Sequence, residues 1–266
     1  MDTKFHPAIA AIKSDDLEQF KALVAADPSL ATLRSSSSHP TLLQCVALDG
    51  KDKPNNVAMA EVLIDAGAEL NEPLVAAASI NNRAVAQLLL DRGAAIDGTG
   101  GWSPLEEALY WNSQDVLALL LERGAKVQNL RTAAGLGRTD LIEKYFNANG
   151  SLKPEAGKIN SPWRVNAWSQ DQQGIVNNAF VYACMHGHLD AAHLLLDKGA
   201  EINAIPGGFD YAGTGLHYAA LNGHRAMVEF LLNHGADRTV KDTKVGSTAA
   251  GWADHGGHPD LRDLLR

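Results

Sequence analysis

The sequence predicts an all-α fold in which antiparallel helix pairs repeat along the chain and stack into a solenoid. Two observations lead to this prediction. A tail of two apolar residues, two mostly polar residues and Gly-Ala recurs, and Gly or Asn stands twelve residues before the glycine position of each copy. Leu pairs between these columns follow helical spacing, so each repeat has an apolar face that only its neighbours can bury. Such self-similarity indicates a repeat array rather than a single globular core.

The tail marks the end of the second helix of each predicted pair. Gly readily adopts the left-handed conformation that ends a helix, and Asn tolerates it. A degenerate copy at residues 145–150 has Asn149 at the glycine position. The close copies occupy residues 63–68, 89–94, 120–125, 195–200 and 231–236.

The earlier column predicts the tight turn between the two helices of a pair, because Gly and Asn both accept the backbone conformation of such a turn. An N-terminal cap, whose second helix begins near Asp15, and a C-terminal cap complete eight helical units. The last helix, 260–266, carries charges on one side, as a terminal unit facing water requires. The members of the turn column are Asn55, Asn81, Asn112, Gly137, Gly187 and Gly223.

The best preserved unit begins at residues 214–220, which read Thr-Gly-Leu-His-Tyr-Ala-Ala. Related segments begin at Thr41, Ser103 and Ser247. This pattern resembles the ankyrin repeat, in the degenerate form of bacterial-type arrays, and the resemblance covers nearly the whole chain. In physical terms, Thr or Ser caps the start of a helix, and small alanines let antiparallel helices approach closely. The resemblance implies an ankyrin-repeat solenoid with short β-hairpin-like fingers between helix pairs.

The lengths of the connections predict where this array departs from the regular pattern. Only about five residues follow Gly67 and about four follow Gly124 before the next helix, too few for a hairpin finger, so these fingers are expected to be missing. One connection is instead a long inserted loop, and such loops are often functional. The whole chain, 1–266, is predicted to form one array made of a capping pair at 6–30, repeats at 41–149, the insertion at 150–177, repeats at 178–246 and a capping repeat at 247–266.

Composition argues against several functional classes. With 23 Lys and Arg against 31 Asp and Glu, the net charge of -8 opposes binding to nucleic acid backbones or anionic membranes. Cys45 and Cys184 lie in separate apolar segments and supply neither a disulfide framework nor a metal-ligand set. The sequence shows no signal-peptide core and no apolar run long enough for a membrane span. We expect a reduced, cytoplasmic protein.

A stripe of aromatic residues is predicted to line the concave groove. In ankyrin proteins the residue after the Thr-Pro-Leu-His tetrad tends to face the groove, and the C-terminal part of this column reads Tyr182, Tyr218 and Trp252. Tyr110 and Trp111 from an earlier unit would extend the stripe. Aromatic rings are favoured anchors of protein interfaces, but exposed aromatic surface is either used or hidden, so the insertion could instead cover the stripe.

The insertion itself allows two interpretations. Its large rings, at Trp163 and Trp168 beside Arg164, are costly to leave in water, so we expect it to fold back onto the repeats. It would either plug the gap left by a missing finger or form a lid over a pocket. In the second case the polar groups of the pocket would be His186, Asp210, Tyr211 and His255.

Most histidines are explained by the repeat. His188, His224 and His258 follow the inter-helix glycine, where an imidazole can bond the loop backbone between units, and His217 belongs to the tetrad. No metal-ligand spacing, P-loop lysine, nucleophile elbow or HExxH motif is present. No metal and no cofactor are therefore predicted, and the sequence favours a non-catalytic protein while leaving activity open.

The resemblance implies a protein–protein interaction module of adaptor or inhibitor type, which binds a protein or peptide in the groove. The alternative is a small-molecule-binding or hydrolytic protein with a pocket between the groove and the 150–177 insertion. A structural or self-associating scaffold is a third possibility, for which an exposed aromatic patch would be the sign.

Overall fold

The computed structural model describes residues 3–36, 39–101, 103–158, 169 and 171–266. Sixteen α-helices and three short 3₁₀ helices, at Thr3–Phe5, Pro28–Ala31 and Pro154–Gly157, make up the secondary structure of these residues, and no strand is found among them. The prediction of an all-α fold is confirmed. The chain divides into two compact units, Met1–Lys126 and Val127–Arg266, called here the N-terminal and C-terminal units.

The N-terminal unit contains four helix pairs. In each pair a helix with a largely buried sequence is followed, after a short turn, by a second helix with one polar face. The pairs are α1 (His6–Ser14) with α2 (Leu17–Ala26), α3 (Leu42–Asp49) with α4 (Asn56–Asp65), α5 (Asn71–Ser79) with α6 (Arg83–Asp91), and α7 (Pro104–Tyr110) with α8 (Gln114–Glu122).

The C-terminal unit also contains four helix pairs. The first is short, and the second begins with the longest helix of the described chain. The pairs are α9 (Leu130–Gly135) with α10 (Thr139–Lys144), α11 (Gln172–Met185) with α12 (Leu189–Asp197), α13 (Gly215–Leu221) with α14 (Arg225–Asn233), and α15 (Ala249–His255) with α16 (Pro259–Leu265).

Within each unit the helices form two layers. First helices pack on first helices of the neighbouring pairs, as in α3, α5 and α7 or in α11, α13 and α15, and second helices pack on second helices. Small residues in the first helices permit this close approach, and Leu side chains fill the space between layers. Phe180, Leu195, Leu216 and Leu231 are core residues of the C-terminal unit. The core therefore follows the repeat, as the sequence predicts.

The turn between the helices of a pair is built differently in the two units. The left-handed position holds Asp or Asn in the N-terminal unit, as at Asn81 with a φ of 60°, and Gly in the C-terminal unit, as at Gly187 with a φ of 72°. Two predicted positions need correction. The left-handed residue is Asp52 rather than Asn55, and at the degenerate tail it is Gly150 rather than Asn149.

The side chain of Asn81 links one repeat to the next. Its Oδ1 accepts hydrogen bonds from the backbone N–H groups of Asp115 (2.9 Å) and Val116 (3.0 Å) at the start of α8, and its Nδ2 donates to the Asp115 carboxylate. The local residue Ser113 makes no side-chain cap to this helix. A residue of the preceding repeat thus does the work of an N-cap, which explains why Asn is used at this turn.

In the C-terminal unit a histidine ring occupies the space beside the turn glycines Gly137, Gly187 and Gly223. His188 Nε2 lies 3.1 Å from the carbonyl oxygen of Gly135, and His224 Nε2 lies 2.9 Å from that of Met185. A side chain at Gly137 would meet the His188 ring, and one at Gly187 would meet the His224 ring. The structural role predicted for these histidines is confirmed at both positions.

The connections between pairs vary in length as expected. Residues 66–70 and 123–129 are short links without a finger. The C-terminal finger, residues 237–248, is hairpin-like, with an isolated antiparallel bridge between Lys241 and Thr248. The expected insertion at 150–177 is shorter than predicted, because α11 already begins at Gln172, where the Asp171 side chain accepts the N–H of Gly174 as an N-cap.

Candidate protein-binding surfaces

Three residues of the predicted aromatic stripe lie in a buried cluster of the C-terminal unit. Tyr182, Tyr218 and Trp252 are only 2%, 7% and 7% exposed. The finger at residues 201–213 covers them, because Phe209 places its ring 5.5 Å from Tyr182 and 5.0 Å from Tyr218, measured between ring centroids. The expectation that these three rings are open anchors is therefore corrected. The finger covers these three rings, and their burial stabilises the C-terminal unit.

Asp242, which is 4% exposed, connects the C-terminal finger to this cluster by hydrogen bonds. Its carboxylate accepts hydrogen bonds from the backbone N–H groups of Val245 (2.7 Å), Lys244 (2.9 Å) and Ser247 (2.9 Å) and from the indole N–H of Trp252 (3.0 Å). Burial acts to raise the pKa of Asp242, but these four donors outweigh it and hold the pKa well below its ordinary value. The finger tip is consequently a rigid turn.

Two side chains at the finger tips remain exposed above the buried cluster. Tyr211 is 50% exposed and Val245 is 68% exposed. The ammonium group of Lys244 lies over the Tyr211 ring, 3.9 Å from its centroid, and the backbone N–H of Thr243 donates to the carbonyl of Ala212. These two contacts join the adjacent fingers, and they fix the positions of the exposed Tyr211 and Val245 side chains relative to each other.

The other two stripe residues lie at the end of α7 in the N-terminal unit. Trp111 is 50% exposed, and its indole N–H donates to the buried carboxylate of Glu107 at 3.1 Å. Tyr110 meets it edge to face, with 5.0 Å between ring centroids. Trp111 is thus a large exposed ring that is hydrogen-bonded to a buried carboxylate, and its role as an anchor for a partner stays a prediction.

A shallow depression of about 670 Å³ lies at the base of the insertion, and the four polar residues proposed for a pocket, His186, Asp210, Tyr211 and His255, are not part of its lining. Tyr211 contacts Lys244 instead. The lining of the depression consists of Leu152, Lys153, Pro154, Glu155, Gly157, Lys158, Gln172 and Ile175.

The three lid residues of the insertion, Trp163, Arg164 and Trp168, lie outside the described residues. The described start of the insertion is fixed by the first repeat of the C-terminal unit. The carbonyl oxygen of Lys158 accepts from Asn129 Nδ2 at 3.0 Å and from the buried guanidinium of Arg131 at 2.8 Å.

Two family models match the sequence. The one described as "Ankyrin repeats (3 copies)" matches residues 51–131, and the one described as "Ankyrin repeats (many copies)" matches residues 180–232, together about half of the chain. The chain belongs to the ankyrin-repeat family. Ankyrin repeats generally mediate protein–protein interaction, and the stacked helix pairs of both units agree with this family.

Curated proteins share part of the sequence of this ankyrin-repeat protein. The protein named "Probable E3 ubiquitin-protein ligase XBOS33", from Oryza sativa subsp. japonica, is 38% identical over 85 residues, which are 32% of this chain and 16% of the relative. Palmitoyltransferase ZDHHC13 from Pongo abelii and from Homo sapiens is 39% identical over 61 residues, 23% of this chain and 10% of each relative. The chain thus matches a small share of these relatives' length.

The two thiols of this ankyrin-repeat protein are buried. Burial raises the pKa of the Cys45 thiol to about 11 and also raises the pKa of the Cys184 thiol, so both are poor nucleophiles. In the described part of the chain no group of three or more potential ligands could hold a metal ion. Across the same residues no helix has both the length and the apolar sequence to cross a membrane.

Sequence reasoning missed the residues that position these surfaces. The sequence patterns single out none of Phe209, Asp242 and Val245. A partial signal was available at the C-terminal finger, because Asp followed by several residues and then Gly is typical of a side chain that caps its own turn. The cover over the stripe had no such signal, since it depends on how two distant segments pack.

Proposed function

We propose that this ankyrin-repeat protein is a non-catalytic module that binds a protein partner, in the manner of an adaptor or an inhibitor. One observation carries the proposal. The exposed large rings of Trp111 and Tyr211 are each held in a fixed orientation by buried or hydrogen-bonded neighbours rather than left free. Aromatic anchors of this kind dominate the binding energy of protein interfaces.

Rigidity of the free protein is what makes these rings suited to binding. An interface residue that is already ordered loses less conformational entropy when the partner arrives, and this raises affinity without adding contacts. In the N-terminal unit Glu107 orients Trp111, and in the C-terminal unit the two linked fingers orient Tyr211. The proposed contact surface is formed by finger tips and inter-helix turns, because the floor at Tyr182 and Trp252 is buried.

The cytoplasm is the proposed site of action. Both cysteines are free and buried, and unpaired thiols are typical of a reducing compartment. A small molecule remains a second ligand class, but the depression at the insertion base has three charged residues in its lining, whereas ligand pockets are predominantly apolar. A protein partner is therefore the function that the geometry supports best.

The test is a quantitative pull-down from a lysate of the organism that encodes the chain. The bait carries Trp111→Ser and Tyr211→Ser together, and the matched control carries Leu121→Ser, which removes an equally exposed apolar side chain from the second helix α8. We expect proteins enriched by the unaltered chain to be lost with the double variant and kept with the control. Equal enrichment by all three baits, or by empty beads, would contradict the proposal.

A further inference from the structure

The C-terminal finger presents three basic side chains that form no ion pair with a carboxylate of the described residues. Arg238, Lys241 and Lys244 are exposed, and within the described part of the chain none of them takes part in an ion pair. Basic residues of the flanking helices behave differently. Arg225 pairs with Glu229 at 2.9 Å, and Arg262 pairs with Asp254 at 2.8 Å.

The two acidic residues of the finger accept hydrogen bonds that stabilise the turns of the finger. Asp237 accepts the backbone N–H and the hydroxyl of Thr239, and Asp242 is buried beneath the tip with its four donors. Neither carboxylate pairs with the finger's basic groups. In a chain with a net charge of -8, the finger is therefore a local basic surface.

Apolar surface accompanies these charges. Val245 is the most exposed of the large apolar side chains among the described residues, and the Asp242 turn fixes its backbone. Lys244 bridges from the basic side to the exposed Tyr211 ring of the preceding finger. Asp210, next to Tyr211 in the chain, is also exposed.

We propose that the C-terminal finger binds an acidic segment of a partner protein, with Arg238, Lys241 and Lys244 attracting its carboxylates and with Val245 and Tyr211 contacting an apolar side chain within it. This inference rests on the proposed function and specifies the partner. Charge complementarity of this kind speeds association and sets the orientation of the partner. A fixed turn adds affinity because little is ordered on binding.

An acidic protein segment fits this surface better than a nucleic acid or an anionic membrane. A long polyanion extends beyond the finger and lies near the acidic residues that are in excess over the rest of the chain, which oppose its binding. A short acidic segment meets only the local charges of the finger, since charges beyond about 10 Å are screened at ordinary salt. The apolar side chains further favour a ligand that carries both carboxylates and an apolar group.

The test measures fluorescence anisotropy of three labelled synthetic peptides with the full chain. The acidic peptide alternates Glu with Leu, the neutral peptide has Gln in place of Glu, and the basic peptide has Lys in place of Glu. The variant reverses the finger charges with R238E, K241E and K244E. Two single reversals form a matched pair of equal charge change, K241E in the finger and K144E at an exposed position elsewhere in the same unit, and a further variant, V245S, removes the apolar contact.

We expect the acidic peptide to bind at least about tenfold more tightly than the neutral one, and raising the salt to reduce this difference. The triple reversal should abolish that preference, V245S should weaken binding about three- to tenfold, and K144E should leave it unchanged. Circular dichroism of each variant verifies that the unit remains folded. Equal binding of the acidic and neutral peptides, or no effect of the triple reversal, would overturn the inference.

Two further arms separate the alternatives. Binding of phosphatidylserine vesicles or of a single-stranded oligonucleotide more tightly than the acidic peptide would overturn the inference in favour of a polyanion. A partner enriched in the pull-down through Trp111 and Tyr211 but indifferent to the triple reversal would overturn it while leaving the proposed function intact. Loss of all enrichment by the unaltered chain would instead count against the proposed function itself.

Discussion

Replacing Asp242 by Ala is expected to destabilise the C-terminal unit strongly. The substitution removes the acceptor of four hydrogen bonds. The amides of Lys244 and Val245 lie at the exposed tip and can be solvated when the carboxylate is lost. The amide of Ser247 is partly buried and the indole of Trp252 is buried, so these two donors lose a partner that water replaces poorly.

The expected loss follows from those two donors. A hydrogen bond to a charged group contributes about 1.5–3 kcal/mol, so two of them give a decrease of about 3–6 kcal/mol in the free energy of unfolding. Urea denaturation followed by circular dichroism at neutral pH measures it. Asp237→Ala is the matched control, because it removes a cap from an exposed turn of the same finger and should cost less than about 1 kcal/mol.

The pH dependence of the same variant gives a second readout. Since the pKa of Asp242 is lowered on folding, its stabilisation is complete above the ordinary value of 3.8 and is lost as the pH falls below it. The difference between the unaltered chain and Asp242→Ala should therefore shrink in acid. A loss smaller than about 1 kcal/mol at neutral pH would refute the reasoning that the carboxylate locks the finger.

Three further predictions concern the inter-repeat turns. Asn81→Gly keeps the positive φ but removes the cap on the next repeat, so it should lower the free energy of unfolding by about 1 kcal/mol. Asn81→Ala also strains the left-handed backbone and should lower it by about 1 kcal/mol more. Urea denaturation measures both losses, and equal losses would contradict this. Burial lowers the pKa of His188 and of His224, so the C-terminal unit should lose stability as the pH falls below the ordinary 6.5. Hydrogen-exchange protection factors, which correct for the pH dependence of intrinsic amide exchange, measure this, and equal protection at about pH 7.5 and about pH 5.5 would contradict it. Gly187→Ala should lower the thermal midpoint more than Gly199→Ala, because both have positive φ but only the first meets a histidine ring, and equal shifts would exclude that contact as the cause.

Much of the fold could be predicted because it depends on local residues. The tail glycines and the turn column specify where helices end, and the capping box between Thr41 and Gln44 follows from the residue types at that spacing. The errors arose where several residues could take one role. Asp52 rather than Asn55 adopts the left-handed conformation, and the N-cap at Asp171 starts α11 within the expected insertion.

The surfaces were less predictable, because exposure depends on packing between distant segments. The sequence predicts that Tyr182 and Tyr218 share one column of the repeat, whereas the structure shows that Phe209 covers both rings. Trp111 is 50% exposed, because no segment of the described residues covers it as Phe209 covers Tyr182 and Tyr218. A sequence pattern specifies which face a residue occupies, whereas the burial of that face is decided by the segment that packs on it.

The most direct test of the central claim is site-specific photo-crosslinking in cells of the source organism. Val245 is replaced by benzoylphenylalanine in one variant, and Leu189, an exposed apolar residue on the second helix α12, is replaced in the matched control. The account predicts a discrete protein adduct from position 245 that disappears when R238E, K241E and K244E are added, and none of this adduct from position 189. The same adducts from both positions, or no protein adduct from position 245, would contradict the claim that this finger binds a protein partner.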